Sequence, residues 1–300
     1  MPDTLTGKDW DILLESVLRL RCTPFLGAGA CYGILPLGGD IAEEWAMLYN
    51  FPLSERRNLI QVAQYLAITH QPLFPKFEFI KRIETIKLPE DDRGDEPHAV
   101  LADLPIPVYI TTNYDDFMVQ ALRRKWKSPK RRISQWNDYL KRFQPGMGPN
   151  DKPDVANPVV FHLHGNNEVA QSLVLTEDDY LEFLVTLSRD PTLLPEPIQN
   201  AIIGSSLLFI GYSLADTTLR VLHRGLFATT ASNIRLTSFT VQPLPTRDTD
   251  TEEDRRKTQE YLDEYFRKLD IRVYWGTARE FASDLRNKWQ QYRNGVRFGI

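Results

Sequence analysis

Four times between residues 25 and 216, a short apolar and partly β-branched run breaks abruptly into small or polar residues. That recurrence restricts the fold more than any other feature of the chain. The strings are Phe25-Leu-Gly-Ala-Gly-Ala30, Ile110-Thr-Thr-Asn-Tyr-Asp115, Phe161-His-Leu-His-Gly165 and Phe209-Ile-Gly-Tyr-Ser-Leu-Ala-Asp216. Each apolar run reads as a buried strand, and each break as its hand-over to a loop or helix. In an open parallel sheet, ligands bind at those carboxyl ends. Brought into one crevice, the four ends supply a glycine turn, an amide, an imidazole, a hydroxyl and carboxylates. Such an inventory suits gripping a nucleotide and breaking one of its bonds.

The rest of the chain alternates accordingly. Strands are expected at 22–26, 108–111, 159–163, 207–210, 236–241 and 271–274, with a further short one at 173–175. Helical spacing marks 9–20, 116–126, 177–187, 196–203, 217–227, 251–269 and 278–292. Residues 40–88 show helical periodicity without a strand signal, so they read as a helical insertion. The expected architecture is one α/β domain over 1–300, a Rossmann-like, doubly wound and mostly parallel sheet with an insertion at about 40–105.

Composition excludes several classes. With 42% hydrophobic residues among 300, the chain can bury one large core. A net charge of −4 argues against a generally basic nucleic-acid-binding surface. The basic run from Arg123 to Arg132 reads first as a solvated face and second as a docking surface. Two cysteines, Cys22 and Cys31, form no CxxC pair, which fits a reducing cytoplasm and excludes a four-cysteine zinc site. The sequence shows neither a leader pattern nor an 18-residue apolar run, so no secretion signal and no membrane span are expected.

Each candidate site residue also has a purely structural explanation. Gly27, Gly29 and Gly33 give a GxGxxxG after a strand, as a pyrophosphate loop needs; a tight strand–helix turn needs glycine as well. Asn113 stands at a strand end with Asp115 and Asp116 behind it, where helix capping accounts for one such residue but not for three. His162 and His164 flank Leu163, so in a continuous strand they share a face. A metal pair lacks a third ligand nearby, and no metal is expected there. One histidine reads as core; His164, before Gly165, is better placed as a general base. Ser213 lacks a G-x-S-x-G elbow, so it reads as a ribose or phosphate contact or as a helix cap. Asp216 carries little weight alone.

Taken in order, GAGA, TTNYDD, HLHG and GYSLAD resemble the strings of the sirtuin-like (Sir2-like) family over residues 22–216. Their wording is similar to that of bacterial sirtuin-like proteins of antiphage defence rather than protein deacetylases. The resemblance implies that Asn113 and His164 are catalytic, that Asp115 holds the nicotinamide ribose end, and that Gly27, Ala28, Gly29, Gly211 and Ser213 bind NAD. The two CxxC pairs of a deacetylase zinc ribbon are missing, and the glycine string continues Ala-Cys-Tyr instead of Ile-Ser. Gln242 is only a rough counterpart of the family's adenosine-end asparagine.

The implied activity is hydrolysis of NAD, a substrate here, to nicotinamide and ADP-ribose without a metal, depleting cellular NAD in defence when triggered. An NAD-dependent protein-lysine deacylase and a non-catalytic NAD or ADP-ribose sensor are the alternatives. The resemblance also implies a HerA-type DNA-translocating ATPase as partner; the composition adds a cytoplasmic setting with no membrane and no direct nucleic-acid contact, and a homo-oligomer is expected. Trp45, Tyr49, Phe74, Phe77 and Phe79 in the insertion, and the basic run, are the expected interface residues.

Overall fold

The computed structural model of the chain describes residues 5–91, 93–148, 151–190, 193–212, 236–244 and 251–299. Seven strands form one sheet in the order β3-β4-β2-β1-β5-β6-β7, every pair parallel. They are β1 (Cys22–Leu26), β2 (Val108–Thr111), β3 (Lys130–Ile133), β4 (Val159–His162), β5 (Ser206–Ile210), β6 (Ser238–Gln242) and β7 (Ile271–Trp275). All residues of β1, β2, β4, β5 and β6 are buried, as near-continuous apolar strands covered on both faces must be. From β1 the chain passes to β2, then out to the edge strand β3, fills the gap between them with β4, and starts the other half at β5. The direction reverses between β1 and β5, which places the topological switch point there.

Helices cover both faces. On one lie α1 (Gly7–Leu18), α5 (Pro97–Asp103), α6 (Phe117–Arg124) and α11 (Ala278–Arg293), whose Leu13, Leu101, Leu122 and Phe281 pack on Leu208 and Ile210. On the other lie α8 (Glu177–Arg189), α9 (Glu196–Ile203) and α10 (Glu252–Arg267), whose Phe183, Ile198 and Phe266 meet Leu207 and Phe209. Alternate residues of β5 thus feed opposite layers, as the two-residue strand period requires. Burial of a side chain such as Phe281 contributes about 2–3 kcal/mol. Short α7 (Asp138–Phe143) joins the second layer through Leu140.

Between β1 and β2 the chain forms α2 (Gly38–Leu48), α3 (Leu59–Thr69), α4 (Phe74–Ile83) and α5. Ile41, Trp45, Val62, Leu66, Phe79 and Ile83 build a separate core there. Tyr49 and Phe74 pack against it partly buried, and only Phe77 of the five aromatics is exposed, at 55%. Four of the five aromatics are therefore the insertion's own core and not a free surface. Lys76 of α4 reaches Asp179 of α8 at 2.7 Å, tying this cluster to the sheet's second layer.

Two local expectations need correction. Residues 173–175 form no strand: Val174 N–H donates to the His164 carbonyl, while Tyr114 Oη donates to the Val174 carbonyl. Leu173 and Leu175 fill the insertion's core instead. The basic run contains β3, an edge strand whose Lys-Arg-Arg sequence suits a sheet edge. It is also internally paired: Lys125 with Asp103, Lys130 and Arg132 with Asp151, Arg131 with Asp116 and Glu168. The helix expected at 217–227 lies outside the described residues. No helix among the described residues is long and apolar enough to cross a membrane.

Candidate active site at the switch point

Two glycine-bearing turns interlock where β1 and β5 end. Gly27 N–H donates to the Ile210 carbonyl and Gly29 N–H to the Gly211 carbonyl, both at 2.9 Å. A Cβ on Gly27 would sit 2.7 Å from the Gly211 oxygen, and one on Gly29 would sit 2.8 Å from the Gly211 Cα. Gly211 itself has φ +82°, and a Cβ there would fall 2.2 Å from the Ala30 nitrogen. Close backbone approach is thus one physical requirement for these three glycines. Ala28, at the start of the 3-10 turn Ala28–Cys31, is exposed at the lip. Tyr212 braces the turn, its hydroxyl 3.2 Å from the Leu26 carbonyl and 3.1 Å from Thr112 Oγ1.

Asn113 closes the crevice from the β2 side. Its Nδ2 donates to the Gly27 carbonyl at 3.0 Å and to Cys31 Sγ at 3.2 Å, and the residue is only 8% exposed. None of these bonds caps a helix. Asp115, one residue before the N-cap Asp116, accepts from Phe117 N–H through its Oδ1 at 2.9 Å. Its Oδ2 accepts from the Cys31 thiol at 3.4 Å. Asp116 turns instead to Arg131 at 2.5 Å and Asn166 at 3.1 Å.

Behind Asp115 lies a buried group that sequence reading missed. His98 Nε2 stands 3.9 Å from Cys31 Sγ, and its Nδ1 lies 2.7 Å from Glu96 Oε1. Glu96 Oε2 in turn accepts from Ala99 N–H at the start of α5. Burial works to lower the His98 pKa, but the bond to Glu96 and its charge, with Asp115 beyond, hold it raised. Glu96 is the converse case, with burial raising its pKa and His98 keeping it lowered. Burial, reinforced by the Asp115 charge, pushes the Cys31 thiol well up. Cys31 could have been noticed as the residue following the glycine string; His98 gave no signal, because it arrives from the insertion.

The two histidines diverge. β4 ends at His162, so strand alternation does not carry through to His164. His162 Nδ1 lies 3.3 Å from the Asn113 carbonyl oxygen, and its Nε2 is 3.7 Å from Asp116 Oδ1, too long for a hydrogen bond. Burial lowers its pKa, against the opposing charges of Asp116 and Asp115. His164 packs edge-on against Tyr180 and Phe183 of α8, at 5.4 and 4.9 Å between ring centres. Burial takes its pKa down to about 3, and its Nε2 has no hydrogen-bond partner. Gly165 has φ +91°, and a Cβ there would overlap the Ser172 carbonyl, so no other residue fits beside His164.

Gln242, at the tip of β6, is 2% exposed and donates to Thr240 Oγ1 at 2.8 Å. Ser213 and Asp216 lie outside the described residues. A cavity of about 850 Å³ opens at the opposite end of the sheet, beside Arg21, Pro107 and Ser205, which precede β1, β2 and β5. It contains none of the residues above.

A parallel sheet with an asparagine and a glycine interlock at its switch point defines an α/β protein of the Rossmann-like class. Residues 107–274 match the family model described as SIR2-like domain, more than half of the chain, and the chain belongs to that family. The matched stretch carries Asn113, Asp115, His164 and Gly211; the Gly27–Gly29 loop precedes it. Among curated proteins, the chain is 26% identical over 190 residues to the NAD(+) hydrolase ThsA of Enterococcus faecium, covering 58% of this chain and 34% of that one. It is 27% identical over 217 residues to ThsA of Cytobacillus dafuensis, covering 70% and 40%. For ThsA of Bacillus cereus (strain MSX-D12) the figures are 26% over 209 residues, covering 68% and 40%. The chain thus spans between a third and two fifths of the length of these relatives.

Proposed function

We propose that the chain, acting as a single domain, hydrolyses NAD at the nicotinamide–ribose bond, giving nicotinamide and ADP-ribose. The observation that carries this reading is the buried Asn113 amide, held between the Gly27 carbonyl and Cys31 at the switch point. The ThsA relatives support it, since each is named an NAD(+) hydrolase.

The nicotinamide of NAD is a cationic leaving group, so the reaction mainly needs an oriented sugar and an oriented water. Asn113 fixes the ribose and the water in line, an effect worth on the order of 7 kcal/mol when orientation is good. Water adds its oxygen to the anomeric carbon as the C–N bond breaks, nicotinamide leaves neutral, and one proton is lost. His164 is neutral and carries a free ring nitrogen, so it accepts a hydrogen bond from the water or a ribose hydroxyl. A base so placed contributes ~10²–10⁴-fold. Asp115 holds the nicotinamide ribose end. Gly27, Ala28, Gly29, Gly211 and Ser213 receive the pyrophosphate side. The chain itself needs no metal for these steps.

In the cell this activity would serve antiphage defence, in the cytoplasm, by removing NAD once triggered. Gating by assembly into a homo-oligomer, with a HerA-type ATPase as partner, belongs to the same proposal. The test is incubation with NAD, with and without that partner, and chromatographic separation of the products. Nicotinamide and ADP-ribose without any acyl peptide are expected. Turnover that requires an acyl-lysine peptide and yields acyl-ADP-ribose would establish the deacylase instead. Binding without turnover under both conditions would establish a sensor.

A further inference from the structure

We propose that Cys31, His98 and Asp115 form a site for a thiophilic divalent cation, Zn²⁺ above all, whose occupation opposes the chemistry of the adjacent crevice. The three residues come from the glycine turn, the insertion helix α5 and the tip of β2, and they are 2%, 1% and 7% exposed. One donor atom from each lies within 4.8 Å of the other two.

The separations are those of a metal's ligands. With Zn–S near 2.3 Å and Zn–N or Zn–O near 2.0–2.1 Å, tetrahedral donors lie roughly 3.5 Å apart. Here Sγ stands 3.4 Å from Asp115 Oδ2 and 3.9 Å from His98 Nε2. The Nδ1 bond to Glu96 is the carboxylate–histidine arrangement that orients a metal-bound imidazole and leaves Nε2 as donor. Sulfur, nitrogen and one carboxylate oxygen together select Zn²⁺ over Mg²⁺ or Ca²⁺.

Binding replaces the proton of the Cys31–Asp115 hydrogen bond with the metal. That thiol proton, and any proton on Nε2, is released to water. The fourth ligand is a water.

The consequence for the crevice rests on the proposed NAD reaction. A metal takes Cys31 Sγ away from the Asn113 amide and Asp115 away from the ribose. It also places positive charge beside a sugar that becomes cationic as nicotinamide leaves. The cation is therefore an inhibitor and not a cofactor.

The full chain, stripped with a chelator, is titrated with Co²⁺ as the optical probe and then with Zn²⁺. A thiolate-to-cobalt charge-transfer band with tetrahedral d–d bands, displaced by Zn²⁺, is expected. Cys31→Ser and His98→Gln should abolish the band. Glu96→Gln should weaken Zn²⁺ affinity ~10–100-fold, and serves as the milder variant if the others fail to fold. Cys22→Ser, in the core, should leave the band unchanged. No thiolate band in the unaltered protein, or a band that survives Cys31→Ser, overturns the site. Zn²⁺ binding without slowing NAD turnover overturns the inhibition. A Cys31-dependent band in a protein that never turns NAD over upholds the metal site and overturns the NAD reading alone.

Discussion

The Nδ1 of His162 lies 3.3 Å from the carbonyl oxygen of Asn113, while His164, two residues on, sits between the rings of Tyr180 and Phe183. The strand histidine supports the asparagine's backbone. Both keep an Nε2 without a hydrogen-bond partner, so His164 is set apart by its place in the turn before Gly165. Asn113→Ala and His164→Ala should each reduce NAD turnover by at least ~10²-fold, with melting temperatures that still report a folded chain. His162→Ala should be milder in turnover and worse for stability, because it empties a buried site. Turnover and thermal melts of the three variants check the assignment. Activity lost only in His162→Ala would reverse the roles.

Acid should destabilise the chain through His164. Its folded pKa is about 3, against about 6.5 when unfolded. Between those values the unfolded state takes up the proton and the folded state does not, so stability falls as pH drops from 6.5 toward 3. At pH 5 the loss from this residue is roughly 2 kcal/mol. His164→Phe should flatten the acid limb of a denaturation-versus-pH series over that window. An unchanged slope would show that His164 protonates without unfolding.

Gly211→Ala should be among the most damaging single-methyl changes in the chain. It forces a side chain into positive φ and against the Ala30 nitrogen, costing roughly 1–3 kcal/mol in backbone strain before any displacement of the glycine turn. Gly148→Ala, with nothing within 4 Å of the added carbon, is the control. Urea midpoints should separate the two clearly, and NAD binding should fail only in the first.

Asp179→Ala should cost more than Lys76→Met. Asp179 Oδ2 accepts from the Leu175 and Thr176 N–H groups in a capping box while Oδ1 holds Lys76, so its loss leaves a buried ammonium and several unpaired donors. Removing one partner of a buried pair costs about 3–5 kcal/mol. Lys76→Met keeps the cap and the packing over Trp136. Equal melting temperatures would mean that the cap contributes nothing.

What could be read from the sequence follows the strength of the local signal. The central strands were plain, because a strand buried on both faces must be apolar along its length, as Leu207 to Ile210 is. The strand Lys130–Ile133 was hidden, since an edge strand carries its charges outward and imitates a solvated run. Residues 173–175 misled in the opposite sense: burial made them apolar, but a helix cluster and not a sheet buries them. At the site, Gly27, Gly29, Asn113 and Asp115 were visible as breaks at strand tips. The meeting of Cys31 with His98 was not, because it depends on how the insertion folds back across the sheet. Short-range ligand spacing cannot register a contact between residues 31, 98 and 115.

The pairing of Phe25 with Phe209 sets a timetable. At 5–20 residues per second, about 180 residues take roughly 10–40 s to synthesise. Throughout that interval β1 has no β5 neighbour, and Gly27 and Gly29 have no Gly211 to lock against. The crevice therefore cannot assemble on a growing chain until most of it has left the ribosome. The proposed NAD reaction is thereby kept off while the chain is being made.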